Sequence, residues 1–129
     1  CEDNAFLTLK STNNVVATLH SSATQWKHKF LLEMAFEDGY INLDGILSST
    51  RSYAPETMVI GKREFEDVTF AMGKPRESIT YYEYDKSWGL ELKEFIDAIN
   101  GVSTVDNGTS QDALEIMKLT DFVYNNSRI

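Results

Sequence analysis

The stretch Ser78-Ile-Thr-Tyr-Tyr-Glu-Tyr-Asp-Lys-Ser-Trp-Gly-Leu-Glu-Leu-Lys-Glu-Phe-Ile-Asp-Ala-Ile-Asn-Gly101 changes its period part-way along. Its first residues, Ser78–Tyr84, are rich in Ile, Thr and Tyr and read as a strand, because such side chains pack well on a pleated surface. Tyr82 and Tyr84 then share one face and Tyr81 takes the other, which sheet packing explains. From Trp88 the apolar residues Leu92, Phe95, Ile96 and Ile99 recur at helical spacing. Asp85 or Ser87 suits the helix N-cap, and Gly101 stands where a left-handed C-cap favours glycine. Trp88 and Phe95 are expected in the core.

Downstream, a polar connector, Ser103–Gly108, leads to a second helical pattern through Tyr124. Thr109 or Ser110 can cap it, and Asp112 falls in its first turn, where the helix dipole favours negative charge. Ala113, Ile116, Met117, Thr120 and Tyr124 form its inner stripe, and Leu114, Leu119, Phe122 and Val123 widen the apolar surface beyond one face.

Upstream, the chain alternates as strands do. Ala5–Lys10 and Val15–Ser22 flank the turn signal Asn13-Asn14 and suggest a hairpin. Lys29–Phe36 is a third strand with Phe30, Leu32, Met34 and Phe36 on one face. Asp38-Gly39 is a strong hairpin signal, Tyr40–Leu43 returns from it, and Asp44-Gly45 breaks the pattern. In the middle, Thr57–Gly61 and Glu66–Ala71 are weaker strand candidates, and Pro55 and Pro75 mark loops.

Strands followed by helices predict an α+β fold: an open, mainly antiparallel sheet with the C-terminal helices packed on one face. The second face, with Thr8, Thr18, His20, Leu31, Glu33 and Ala35, is mixed in character. It can be solvated or covered, and coverage by another domain or subunit is the favoured expectation.

The 129 residues predict one domain. With 12 basic and 20 acidic residues the formal charge is −8, so the basic footprint of nucleic-acid binding is missing and anionic membrane surfaces are disfavoured. No apolar run reaches membrane-span length. The single cysteine, Cys1, rules out an intramolecular disulfide and fits a reducing, cytoplasmic setting. A cysteine at position 1 also admits a lipoprotein reading, the less favoured one. Asn107-Gly-Thr and Asn125-Asn-Ser match the glycosylation pattern, which has no meaning outside a secretory context.

Chemistry-bearing motifs are sparse. The seven glycines are too dispersed for Gly-x-Gly-x-x-Gly or a phosphate loop. His20 and His28 are too few for a metal centre and read as structural or surface residues. Trp26-Lys27-His28, between two strands, combines an aromatic plate, a cation and a titratable ring, and is the candidate substrate-binding cluster.

Three segments together resemble one family. They are Ser21-Ser-Ala-Thr-Gln-Trp-Lys27 with Phe30–Met34; Gly39-Tyr-Ile-Asn-Leu-Asp-Gly45; and Asp85-Lys-Ser-Trp88 with Glu94-Phe-Ile-Asp-Ala-Ile99 and the Gly108, Ala113, Met117, Tyr124 spacing. In order and spacing they look like the C-terminal domain of the glucose–fructose oxidoreductase / inositol dehydrogenase / MocA family. The resemblance implies a parent enzyme whose N-terminal Rossmann domain binds NAD or NADP, with no cofactor site in this chain. It implies hydride transfer at a sugar, inositol or related polyol, and an open sheet that lines the substrate pocket and builds a homo-oligomer. It places Trp26, Lys27 and His28 on the substrate side. The family's Glu-Lys-Pro signature is absent, since Gly73 precedes Lys74-Pro75, and so is its Asp-x-x-x-His pair, since Val16 and Thr24 stand four residues before His20 and His28. No catalytic residue is therefore assigned. The competing expectation is a free-standing α+β module that binds a small ligand.

Overall fold

The computed structural model describes residues 3–63 and 76–126, which fall in two compact units, Cys1–Tyr84 and Asp85–Ile129. The fold class is α+β, with two antiparallel sheets and two helices among the described residues. The first unit is all β among the described residues: β1 (Asn4–Lys10), β2 (Val16–Ser22), β3 (Leu31–Phe36), β4 (Gly39–Ile46), β5 (Tyr53–Lys62) and β6 (Glu77–Tyr82). The second holds α1 (Ser87–Ile99) and α2 (Ser110–Asn126). The candidate strand Glu66–Ala71 and the Gly73-Lys74-Pro75 segment lie outside the described residues.

The strands do not form one continuous meander. β1 and β2 pair as a separate hairpin, and β3-β4-β5-β6 form a four-stranded sheet in sequence order. The first hairpin closes by three residues rather than the expected two. Ser11 N–H donates to Val15 O at 2.9 Å, Asn14 N–H donates to Ser11 O at 3.1 Å, and Asn14 takes φ 65°. That is a tight turn followed by a left-handed residue, which asparagine tolerates. Phe6 and His20 face each other across this hairpin, their rings stacked 4.2 Å apart, next to the pair Thr8 and Thr18. Thr8, Thr18 and His20 thus share a face, and Phe6 joins them.

In the four-stranded sheet the turn falls one residue earlier than expected. Phe36 pairs with Gly39, so Glu37-Asp38 make the two-residue loop and Gly39 opens β4. The cross-strand register sorts the side chains. Leu32 and Met34, then Leu43 and Ile41, then Met58 and Ile60 line one face. Leu31, Glu33 and Ala35, then Asp44, Asn42 and Tyr40, Thr57 and Val59, Tyr81 and Ile79 line the other. The split expected for β3 is the one seen.

Two expectations fail at the same place. Asp44-Gly45 does not end the strand: β4 runs on to Ile46. Between the pairs Asp44–Thr57 and Ile46–Tyr53, Gly45 alone, with φ 79°, faces Ala54, Pro55 and Glu56, so the extra residues of the bulge lie in β5. Pro55 does not lie in a loop but inside β5, among the bulged residues opposite Gly45, where a missing N–H costs no ladder bond. On β6, pairing stops at Tyr82, two residues before the expected end.

Short-range bonds fix the helix ends. The N-cap position of α1 falls on Lys86, which makes no side-chain cap bond, so neither Asp85 nor Ser87 caps it as expected. Asp85, one residue earlier, accepts at Oδ1 from Ser87 N–H at 2.9 Å and from the Ser87 hydroxyl at 2.6 Å and so orders the entry turn. At the far end Gly101 N–H donates to Ala98 O and Val102 N–H to Asp97 O, the paired bonds of a Schellman motif. Thr109 and Asp112 close the start of α2 reciprocally. Asp112 N–H donates to the Thr109 hydroxyl oxygen at 3.2 Å, and the Asp112 carboxylate accepts from Thr109 N–H at 2.9 Å and from its hydroxyl at 2.7 Å. This is a capping box with aspartate in the third position. The hydroxyl donor, with the backbone N–H behind it, holds each aspartate carboxyl below its usual range.

Among the described residues no hydrophobic side chain is buried. Trp88 and Phe95, expected in a core, are 76% and 58% exposed and line an open groove with Leu92 and Val105. The helical period is right, and within its own unit the stripe stays open.

Candidate functional site

The eight residues between β2 and β3 carry the Trp26-Lys27-His28 cluster, and the fold ties this connection down at both ends. At its start Ala23 N–H donates to Asp3 O at 2.7 Å, and the Thr24 hydroxyl accepts from the Asn4 amide at 3.1 Å. At its end Phe30 O accepts from Gly45 N–H at 2.9 Å. The second tie depends on the bulge. A Cβ on Gly45 would stand 1.7 Å from Pro55 O and 2.6 Å from Tyr53 O, so only glycine lets β4 approach β5 this closely while its N–H turns toward Phe30.

Between the tethered connection, the bulge and the start of β5 opens a cleft of about 280 Å3. Lys27, His28, Lys29 and Phe30 line one side, and Asp44, Gly45, Tyr53, Pro55 and Thr57 the other. The His28 ring meets Tyr53 edge-on, with centroids 4.9 Å apart at 64°. Tyr53 is half-buried, so this contact gives the connection a third anchor on the sheet. Trp26 lies elsewhere: it is 93% exposed and outside the cleft lining. The structure therefore brings Lys27 and His28 together and leaves Trp26 beside them, facing solvent.

The cleft offers cations, a carboxylate, an aromatic hydroxyl and a threonine. These groups can bind and orient a small polar molecule. Among the described residues no group of three or more His, Cys, Asp or Glu side chains could hold a metal ion. Comparison with protein families, curated proteins and solved structures returns no match to this chain. No described helix is long and apolar enough to cross a membrane.

Of the residues singled out for binding in the sequence, Lys27 and His28 line the cleft; Lys29, Asp44, Tyr53 and the bulge beside them were not singled out. The signal was present in Asp44-Gly45. A glycine inside a strand pattern marks a bulge or a close backbone approach as readily as a strand end.

Proposed function

We infer that this chain is the substrate-binding and assembly domain of an NAD(P)-dependent oxidoreductase that acts on a sugar, inositol or related polyol in the cytoplasm. Hydride transfer belongs to a nucleotide-binding domain outside these residues. The observation that carries the reading is a sheet with exposed apolar side chains on both faces. Leu32 and Phe36 are exposed on one, and Leu31, Ile79 and Tyr81 on the other. Antiparallel sheets in self-sufficient domains generally leave one polar face to water. A sheet with apolar groups on both sides suits one that is covered twice. The face of Leu31, Ile79 and Tyr81 is the one assigned here to a second copy of the chain.

The resemblance to the glucose–fructose oxidoreductase / inositol dehydrogenase / MocA family supports the oxidoreductase part, and the cleft with Lys27 and His28 supports the substrate part. The described residues do not fit a nicotinamide cofactor. The junction from β6 into α1, Glu83–Lys86, contains no glycine, so no backbone there can approach a pyrophosphate closely. Lys27, His28 and Tyr53 accordingly have positioning work only, and no step of the reaction is assigned to them.

Calorimetric titration of NADH and NADPH into this chain tests the reading. No binding heat and no dehydrogenase activity are expected, and a measurable dissociation constant for either cofactor contradicts it. Reading the coding sequence upstream of Cys1 for a strand–Gly-x-Gly-x-x-Gly–helix unit supplies the positive arm. The free-standing ligand-binding module is the competing reading, because the cleft is lined wholly by residues 25–57. Oligomeric state separates the two.

A further inference from the structure

The charge of this chain is unevenly placed. Its 20 carboxylate side chains leave residues 4–32 entirely free of Asp and Glu, while that stretch holds Lys10, Lys27 and Lys29. Two of those lysines, with His28 between them, line the cleft, where Asp44 is the single carboxylate in the lining. The formal charge of the lining is therefore positive in a protein whose total is −8. A cleft that opposes the sign of the whole molecule concentrates an oppositely charged ligand locally.

We propose that the cleft binds a monosaccharide-sized ligand through an anionic group, a carboxylate or a phosphate, held by Lys27 and Lys29 beside His28. This rests on the reading of the cleft as the substrate site and narrows it to acidic or phosphorylated sugars. Three features of the cleft carry it. Lysine ammonium groups pair with carboxylate and phosphate oxygens as compact point charges. A volume of about 280 Å3 lies at the small end of ligand clefts, with room for one sugar ring. The Tyr53 hydroxyl, Thr57 and Asp44 on the opposite wall suit the ring's own hydroxyls, which can donate to a carboxylate. The connection that carries both lysines is tied at Ala23, Thr24 and Phe30, which lowers the ordering cost of binding.

The experiment titrates the full chain with glucuronate, glucose 6-phosphate and glucose, following amide and imidazole chemical shifts by NMR. Glucuronate, glucose 6-phosphate or both are expected to shift resonances of residues 27–30 and 53–57, and glucose to bind at least several-fold more weakly. Lys27→Ala and Lys29→Ala should each weaken the anion about 2- to 5-fold, the range of exposed ion pairs. Lys10→Ala, which removes the same charge away from the cleft, should leave affinity unchanged. Equal binding of glucose and glucuronate overturns the anionic class and leaves the substrate site standing. Binding that none of the cleft variants weakens, or that Lys10→Ala weakens equally, overturns the assignment to this cleft. Failure of all three sugars to bind overturns the proposal and the substrate site together, while the cofactor titration still judges the oxidoreductase reading separately.

Discussion

The Tyr40 hydroxyl donates to Glu77 Oε1 at 2.6 Å, across the whole width of the intervening strand β5. The bond exists because Gly61, the residue between them, has no side chain. A Cβ there would stand 2.3 Å from the Tyr40 ring. The ring covers the glycine and links β4 to β6, so three strands are fastened by one side chain.

Gly61→Ala should displace that ring and break the link. Overpacking of this kind costs about 1–3 kcal/mol. The loss is read as a lowered midpoint in urea, with Tyr40→Phe as the companion that removes the hydroxyl and keeps the ring.

The same bond sets a pH dependence. The hydrogen bond to Glu77, then desolvation and the Glu77 charge, raise the Tyr40 phenol above its ordinary value of 10.0. A raised value means that Tyr40's contribution to stability is complete below the unfolded value and disappears as pH climbs through the folded one. Difference absorbance between wild type and Tyr40→Phe should show one phenol ionising later than the rest. Early or simultaneous ionisation contradicts the geometry.

The aspartates at the two helix starts predict behaviour at the other end of the pH scale. Asp85 and Asp112 are both held below the ordinary aspartate value of 3.8 by their hydroxyl and N–H donors. Depressed values mean that their contribution is present above that value and is lost as pH falls through their lower folded values. Helical circular dichroism should therefore decline below about pH 4, once these carboxylates begin to take protons. Thr109→Ala should weaken the start of α2 by about 0.5–2 kcal/mol at neutral pH, the usual range for a lost N-cap.

Gly45→Ala tests the cleft's architecture. The positive φ alone costs a non-glycine residue about 1–3 kcal/mol, before the collision with Pro55 O is counted. Thermal unfolding should reveal the loss. In the surviving folded fraction the Phe30 tie should be broken, seen as faster hydrogen exchange at the residue 45 amide.

The sequence showed those features that rest on local chemistry. β1 to β4 were legible because apolar side chains alternate between Asn4 and Leu43, and α1 and α2 because caps and glycines stand at their ends. β5 was only half legible: Pro55 reads as a loop residue until it is seen as part of the bulge opposite Gly45. The cleft was half legible for the same reason. Lys27 and His28 are contiguous and visible, whereas Tyr53 and Asp44 reach them only through the β4–β5 register, which no local pattern encodes. Trp88 and Phe95 followed their period faithfully, but periodicity specifies a face and not what covers it.

The central claim is that this chain is built to be covered, with the sheet face of Leu31, Ile79 and Tyr81 meeting a second copy. Light scattering coupled to size exclusion tests it most directly. The account predicts a mass at twice 14.7 kDa or a higher multiple, falling to one chain in Ile79→Glu, which places a charge on that exposed face. A wild-type protein that runs as a 14.7 kDa monomer at every concentration tested contradicts it.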